Sequence, residues 1–357
     1  MKATDNFRFG MIGAGNIGRV HMNTLGQLPE AEIVAVTDVF APVAQSAAAE
    51  FHIPTVHETA ENLINDPSID AVVIGVPNKW HASLAVQALR SGKHVMLEKP
   101  MAIDVESAKE IVRAQRASGK VLMIPHQMRW EPIPMQVKEQ MEKGALGDIY
   151  YAKAGWFRRK GIPGWGTWFT RKEESGGGPL IDIGVHLLDL SLHLMGNPKP
   201  VSVSGSTYAE FGPKKKGIGT WGTPDWNGRY DVEDLAAAII KMENGSTLNL
   251  EVSWAVHMDT DSEPFIHLMG SEGGASVQGN KGKLLFEQFD RALEIELTPP
   301  AGDEGARIRL HRHFIECIRE GKQPITPVMS GFTNNLILEA IYESSRTGRE
   351  VTLDWTI

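Results

Sequence analysis

The sequence predicts an α/β protein in two parts. The first is an N-terminal doubly wound domain on a parallel sheet; the second is a C-terminal α+β domain with an open, mostly antiparallel sheet. Three observations predict it. Short β-branched runs alternate with helical stretches up to about residue 125, as in a parallel sheet covered on both faces. A glycine-rich turn joins the first run to the first helical stretch. Beyond it, strand follows strand with few helices between, the pattern of an open antiparallel sheet. A chain of 357 residues suits two domains. They are placed at 1–125 and 126–357, the last helices being free to return to the first domain.

In chain order, the apolar runs 7–12, 32–38, 71–77, 94–98 and 121–125 read as buried parallel strands. Between them, 82–90 is a helix closed by Gly92, and 104–117 is one opened by the Asp104 carboxylate and stopped at Gly119. A short helix, 135–143, closes on Gly144, and 147–158 reads as a strand. Pro179 in a first turn and Gly196 past the end predict one continuous helix over 179–195. Runs 235–242 and 247–254 flank Glu243-Asn244-Gly245-Ser246, a hairpin signal. Helices near 307–320 and 330–346 finish the chain.

Composition excludes several functions. Hydrophobic residues at 42% and charged residues at 22% rule out a disordered chain. With 44 acidic against 36 basic residues, the net charge of −8 argues against a nucleic-acid partner. The single cysteine, Cys317, excludes an intrachain disulfide and a thiolate metal cluster; it lies in an amphipathic run and reads as a core residue. The first nine residues carry no apolar stretch that would serve as a signal peptide. No run of 18 apolar residues occurs, so a soluble, cytoplasmic protein without a membrane partner is expected.

Gly13-Ala14-Gly15-Asn16-Ile17-Gly18 follows the first strand and opens a helix. The pattern alone is weak, but Asp38 ends the second strand 20 residues after Gly18, where a carboxylate meets a ribose. Gly13 permits the turn, Gly15 admits a pyrophosphate, and Gly18 lets helix and strand approach. Unpaired N–H groups at the helix start, those of Asn16 and Ile17 among them, would hold the anion. A glycine-rich turn in a ligand-free domain is the plain alternative. Asp38 favours NAD over NADP, because its carboxylate repels a 2′-phosphate and no Arg follows within Val39-Phe40.

Glu98-Lys99-Pro100 stands at the end of the fifth strand, where ligands of open α/β sheets collect. With the glycine fingerprint, Pro77-Asn78 and His81, and Asp182 followed by His186, the chain resembles the Gfo/Idh/MocA family along nearly its whole length. That group contains glucose–fructose oxidoreductase and inositol dehydrogenase. The resemblance implies an N-terminal Rossmann domain and a C-terminal sheet whose face covers the nicotinamide. It places Pro77, Asn78, His81, Glu98 and Lys99 at the cofactor, with Lys99 also contacting a substrate hydroxyl. It further implies a cis bond before Pro100, and homodimers or homotetramers built on the open sheet.

Asp182, His186, Asp189 and His193 stand at i, i+4, i+7 and i+11 on the helix predicted over 179–195, within an arc of about 60°. The remaining positions are apolar, so the helix is expected to be mostly buried and its ionisable stripe to need partners or a cleft. A solvent-facing stripe is the plain alternative. Four ligands spread over about 16 Å cannot share one metal ion, and no metal is expected. Oxidising a secondary alcohol requires removal of the hydroxyl proton as hydride leaves, which suits an imidazole. His186 is the candidate base, Asp182 its orienting group or a hydroxyl binder, and Lys99 the cation that stabilises a developing alkoxide.

Six of nine tryptophans fall between 156 and 254. Trp165, Trp168, Trp221 and Trp226 lie in glycine-rich loops, where flat rings suit sugar C–H faces or a subunit interface. Trp165 is a candidate substrate contact, the resemblance implies another at Arg129, which follows the last strand of the first domain, and Lys214, Lys215 and Lys216 read as a solvated loop. Together these residues point to an NAD-dependent dehydrogenase that oxidises a ring secondary alcohol of a sugar, inositol or glycoside to a ketone. The alternatives are transient use of bound NAD for glycoside hydrolysis or epimerisation, a non-catalytic NAD-binding regulator, and a metal-dependent enzyme.

Overall fold

The computed structural model describes residues 6–259, 261 and 263–357. Residues 1–5, part of the start expected to lack a signal peptide, lie outside the described residues. The chain divides into two compact units, one of residues 1–127 with 304–333 and 357, the other of 128–303 with 334–356.

The first unit opens with β1 (Phe7–Ile12), α1 (Asn16–Leu25), β2 (Ala31–Thr37), α2 (Ala41–Phe51), β3 (Thr55–Val56) and α3 (Ala60–Asn65). It continues with β4 (Ala71–Ile74), α4 (His81–Arg90), β5 (His94–Leu97), α5 (Val105–Ser118) and β6 (Leu122–Met123). The strands lie in the order β3-β2-β1-β4-β5-β6, and every pairing is parallel. This is the doubly wound arrangement, with its switch point between β1 and β4. All four residues of β4 are buried, as expected of an apolar strand covered on both faces. It ends three residues before the run read from sequence, because Gly75 turns away after its N–H bonds the Ile12 carbonyl at 2.9 Å. Asp104 caps α5, accepting the Ser107 N–H at 2.7 Å, and Gly119 ends it at φ +64°.

The second unit is built from α6 (Pro132–Glu142), β7 (Ile149–Phe157), the short α7 (Lys172–Ser175) and a π-turn over Leu180–Gly184 leading into α8 (Val185–Leu194). Strands β8 (Pro200–Tyr208), β9 (Leu235–Met242), β10 (Thr247–Ser253), β11 (Phe265–Gly270), β12 (Gly274–Gln278), β13 (Lys281–Gln288) and β14 (Arg291–Leu297) follow. Then come α9 (Ala306–Glu320), which belongs to the first unit, α10 (Val328–Thr347) and β15 (Val351–Thr352). The sheet runs β14-β13-β12-β11-β7-β10-β9-β8-β15. Among the described residues of this sheet, only β7 and β10 pair in parallel; the other ladders are antiparallel. Burial alternates along β9 and β10, the mark of a sheet with one packed face. Among the described residues, no helix is long and apolar enough to cross a membrane.

The helix expected over 179–195 is not uniform. Its first turn is π-helical and only Val185–Leu194 is α-helical. The wider turn holds Asp182 and changes the phase between Asp182 and the rest of the predicted stripe. Such turns recur at functional sites.

Candidate active site

The carboxyl ends of β1 and β4 both run into glycine, Gly13 and Gly75, and the first of them is sterically required. Gly13 has φ +96°, and a Cβ there would lie 2.4 Å from the Gly75 carbonyl oxygen. A Cβ on Gly18 would lie 2.1 Å from the Gly13 carbonyl oxygen, whereas one on Gly15 would meet nothing within 4 Å. Gly13 and Gly18 therefore close the turn, and Gly15 faces open space that would admit a pyrophosphate. Helix α1 has no side-chain cap, so the N–H groups of its first turn, at Asn16 and Ile17, remain for an anion. Asp38 accepts the Ala14 N–H on Oδ2 and the Phe40 N–H on Oδ1, both at 2.9 Å. Those bonds hold the carboxylate at the mouth of the loop beside the exposed Val39 and Phe40. The cradle fits NAD.

Glu98 turns inward rather than toward a ligand. It is buried, its Oε1 lies 2.9 Å from His21 Nε2, and its Oε2 accepts the Lys99 N–H at 3.0 Å. His21 Nδ1 lies 2.8 Å from His311 Nε2, and His311 Nδ1 lies 2.7 Å from the Arg307 carbonyl oxygen. A carbonyl only accepts, so His311 donates from Nδ1 and accepts at Nε2. His21 then donates from both nitrogens, to His311 and to the Glu98 carboxylate. Burial works to raise the Glu98 pKa, but the hydrogen bond and charge of His21, with Lys99 and Arg307, hold it at about 2. Burial pushes His311 down to about 3, with the charge of His21 adding to the effect. Glu98 thus anchors the backbone at Lys99, while α9 locks onto α1 through the two imidazoles.

This network makes the protein acid-sensitive. The unfolded chain binds more protons than the folded one between the ordinary histidine value of 6.5 and about 3 for His311, and between 4.5 and about 2 for Glu98. The stability that these two groups contribute is therefore full above about pH 6.5 and falls as the pH drops, first through His311 and then through Glu98. Melting temperature measured from pH 7 to 3 should show this fall. In His311→Gln the slope between pH 6.5 and 4.5 should shrink, and an unchanged slope would assign the acid sensitivity elsewhere.

His81 was expected at the cofactor, but its ring is buried between the Pro100 carbonyl, 2.7 Å from Nδ1, and the Val76 carbonyl, 2.9 Å from Nε2. It braces the two loops that carry Pro77, Asn78 and Lys99 instead of presenting a nitrogen to a ligand. The Lys99–Pro100 bond is cis. Asn78 is buried at the start of a short 3₁₀ turn, with Pro77 before it.

In the second unit the predicted stripe divides. Asp182 lies on the π-turn and accepts the indole N–H of the buried Trp254 at 3.1 Å. His186 lies on the first turn of α8 and is half-buried. Asp189 and His193 do something else. Asp189 receives Arg129 Nε and Nη2, each at 2.6 Å, and Asn334 Nδ2 at 3.3 Å. Arg129 Nη1 donates to His193 Nδ1 at 3.4 Å, and burial with the charges of Arg129 and Lys138 lowers His193 to about 3.

Arg129 is therefore not the substrate contact expected from sequence: its side chain is 4% exposed and is held in a bidentate ion pair with Asp189. Nor does Asp189 face solvent, because a helix apolar on its other sides buries its polar stripe too unless a partner is absent. Trp165 departs from expectation in the same way. It is buried, its indole N–H donates to the Gly212 carbonyl at 2.8 Å, and it stacks on Trp226 at 5.7 Å. Lys215 is not merely solvated, since its ammonium lies 4.8 Å over the Trp165 ring. Of the four tryptophans in glycine-rich loops, Trp221 and Trp226 are exposed and Trp168 is half-buried. Among the described residues, no three His, Cys, Asp or Glu side chains are grouped to hold a metal ion.

The sequence reading missed His21, His311 and Glu233. His21 is legible in hindsight as a histidine one turn beyond Gly18 on the buried face of α1. His311 meets His21, and Glu233 meets Gly178, Leu180 and Tyr342, only through tertiary contacts.

Known proteins show the same assembly. Residues 7–126 match the NAD-binding Rossmann fold of the GFO/IDH/MocA oxidoreductase family, and residues 135–276 match the GFO/IDH/MocA C-terminal domain. The D-glucoside 3-dehydrogenase of Escherichia coli (strain K12) is 32% identical over 354 residues, covering 97% of each chain. The scyllo-inositol 2-dehydrogenase (NAD(+)) of Bacillus subtilis (strain 168) is 26% identical over 360 residues, covering 97% of this chain and 96% of its own. The structure of a levoglucosan dehydrogenase in complex with NADH and levoglucosan superposes with a TM-score of 0.87, at 24% identity, over 98% of this chain and 100% of that one. With both family domains present in order, and a glycine cradle and strand-end carboxylate fitted to the dinucleotide, the chain belongs to the Gfo/Idh/MocA family of NAD-binding oxidoreductases.

Proposed function

We propose that the protein is an NAD-dependent dehydrogenase that oxidises a ring secondary alcohol of a sugar, inositol or glycoside to a ketone. The observation that carries the cofactor choice is the Asp38 carboxylate, held by two backbone N–H groups at the mouth of the glycine loop. The substrate class is supported by the relatives named for D-glucoside, scyllo-inositol and levoglucosan oxidation.

Bound NAD would supply the hydride acceptor, cradled by Gly13, Gly15, Asn16, Ile17 and Gly18 with its adenine ribose on Asp38. His186 removes the hydroxyl proton, as a neutral imidazole does well near neutral pH. Asp182, fixed by the Trp254 indole, binds a neighbouring hydroxyl or orients His186. Lys99, its backbone anchored by Glu98, stabilises the negative charge that develops on the oxygen.

A spectrophotometric screen for NADH formation over monosaccharides, inositols and glucosides tests the reaction. Turnover of at least one class is expected; its absence across all of them sinks the proposal. The cofactor choice has its own test. The parent should prefer NAD in kcat/KM, and Asp38→Ser with Val39→Arg should move that preference toward NADP. A parent that already prefers NADP would overturn the role of Asp38.

A further inference from the structure

Gly176-Gly177-Gly178 precede Pro179 and the π-turn, and the run has a steric cause. Gly176 has φ +86°. A Cβ on Gly177 would lie 1.9 Å from the Tyr342 hydroxyl, and one on Gly178 would lie 2.1 Å from the Glu233 carbonyl oxygen. The segment passes between Tyr342 of α10 and Glu233, just before β9, at a closeness that only glycine allows.

The partner it meets there is a buried carboxylate. Glu233 Oε2 accepts the Gly178 N–H at 3.0 Å, and Oε1 accepts both the Leu180 N–H at 3.0 Å and the Tyr342 hydroxyl at 2.9 Å. The Gly178 carbonyl in turn accepts the N–H groups of Ile181 and Asp182, at 3.1 and 3.0 Å. The carboxyl group thus satisfies donors that the start of a helix leaves over, and these hydrogen bonds oppose the burial that raises its pKa. Asp182 lies two residues past Leu180, and His186 one turn further. Glu233 itself is 7% exposed.

We propose that Glu233 is a positioning residue: through Gly178 and Leu180 it sets the π-turn that carries Asp182 and leads into His186 on α8. The proposal rests on the catalytic roles given to those two residues above. An ordinary stabilising cap is the competing account, and it predicts a lower melting temperature with normal turnover in the folded enzyme.

Two full-length variants separate these accounts. Glu233→Gln keeps the volume, but whichever way the amide turns, its NH₂ faces a backbone N–H. Tyr342→Phe removes one donor and leaves both backbone bonds in place. A displacement of the order of 1 Å at a reacting group costs about 10²-fold in rate. Glu233→Gln should therefore lose about that much kcat while KM for NAD stays at the parent value; Tyr342→Phe should lose severalfold. The slow deuterium exchange of the His186 Cε1–H, read by mass spectrometry on ligand-free protein, should change in both variants, more in the first.

Parental kcat and parental His186 exchange in folded Glu233→Gln would overturn the proposal. If that variant does not fold, the same result in Tyr342→Phe overturns it. Should the parent reduce no NAD with any sugar or polyol, the dehydrogenase reading falls, while the exchange measurement still decides whether Glu233 sets the His186 environment.

Discussion

His186→Ala turns over its best substrate about 10²–10⁴-fold more slowly than the parent, the usual worth of a positioned general base. Affinity for NAD should hardly change, because the Gly13–Gly18 loop and Asp38 belong to the other unit and do not depend on α8. The melting temperature should change little as well, since a half-buried side chain on the first turn of α8 contributes little to the core. The kcat/KM of the parent should rise with pH as the imidazole loses its proton, and that limb should vanish in the variant. Lys99→Ala should also slow turnover, and some ordering of the nicotinamide should go with it. A folded His186→Ala enzyme that keeps more than half of the parental kcat would remove His186 from the mechanism.

Arg129→Leu has its large effect on stability. The guanidinium and the Asp189 carboxylate are 4% and 1% exposed and meet through two bonds of 2.6 Å. Removing one partner strands a buried charge, which costs about 3–5 kcal/mol. Asn334 Nδ2, at 3.3 Å from Asp189 Oδ1, compensates only weakly. His193 loses the neighbouring cation that helps to hold its pKa down, so its proton uptake should move upward in pH. Chemical denaturation followed by far-UV circular dichroism measures the loss, and Arg129→Leu with Asp189→Leu should recover much of it, because an apolar pair leaves no unpaired charge. If Arg129 bound substrate instead, the single variant would keep parental stability and raise KM.

Local chemistry was enough to read five of the first unit's six strands and the geometry of the glycine turn, while the two-residue edge strand β3 carries too little pattern to be read. Strand runs, the Asp104 cap, the Gly119 stop and the spacing of Gly13, Gly15, Gly18 and Asp38 each depend on neighbours in sequence or on backbone geometry that one residue type dictates. The hairpin at Asn244-Gly245 was legible for the same reason: Gly245 takes φ +85°, which its flanking residues do not readily adopt. The fate of a buried ionisable residue is different, because it depends on which distant group arrives opposite it. From sequence, Asp182, His186, Asp189 and His193 form one stripe. Tertiary structure splits it by bringing Arg129 and Asn334 to Asp189 and Trp254 to Asp182. Trp165 looked like a rim residue because its loop is rich in glycine, and Arg129 because it follows the last strand of the first domain, yet both side chains are buried against partners far along the chain. Glu98 likewise turned from ligand contact to anchor once α1 and α9 brought two histidines to it. Pattern and turn chemistry therefore determined the fold and the dinucleotide loop. Long-range pairing of buried charge, which no local spacing encodes, decided which polar residues remain for a substrate.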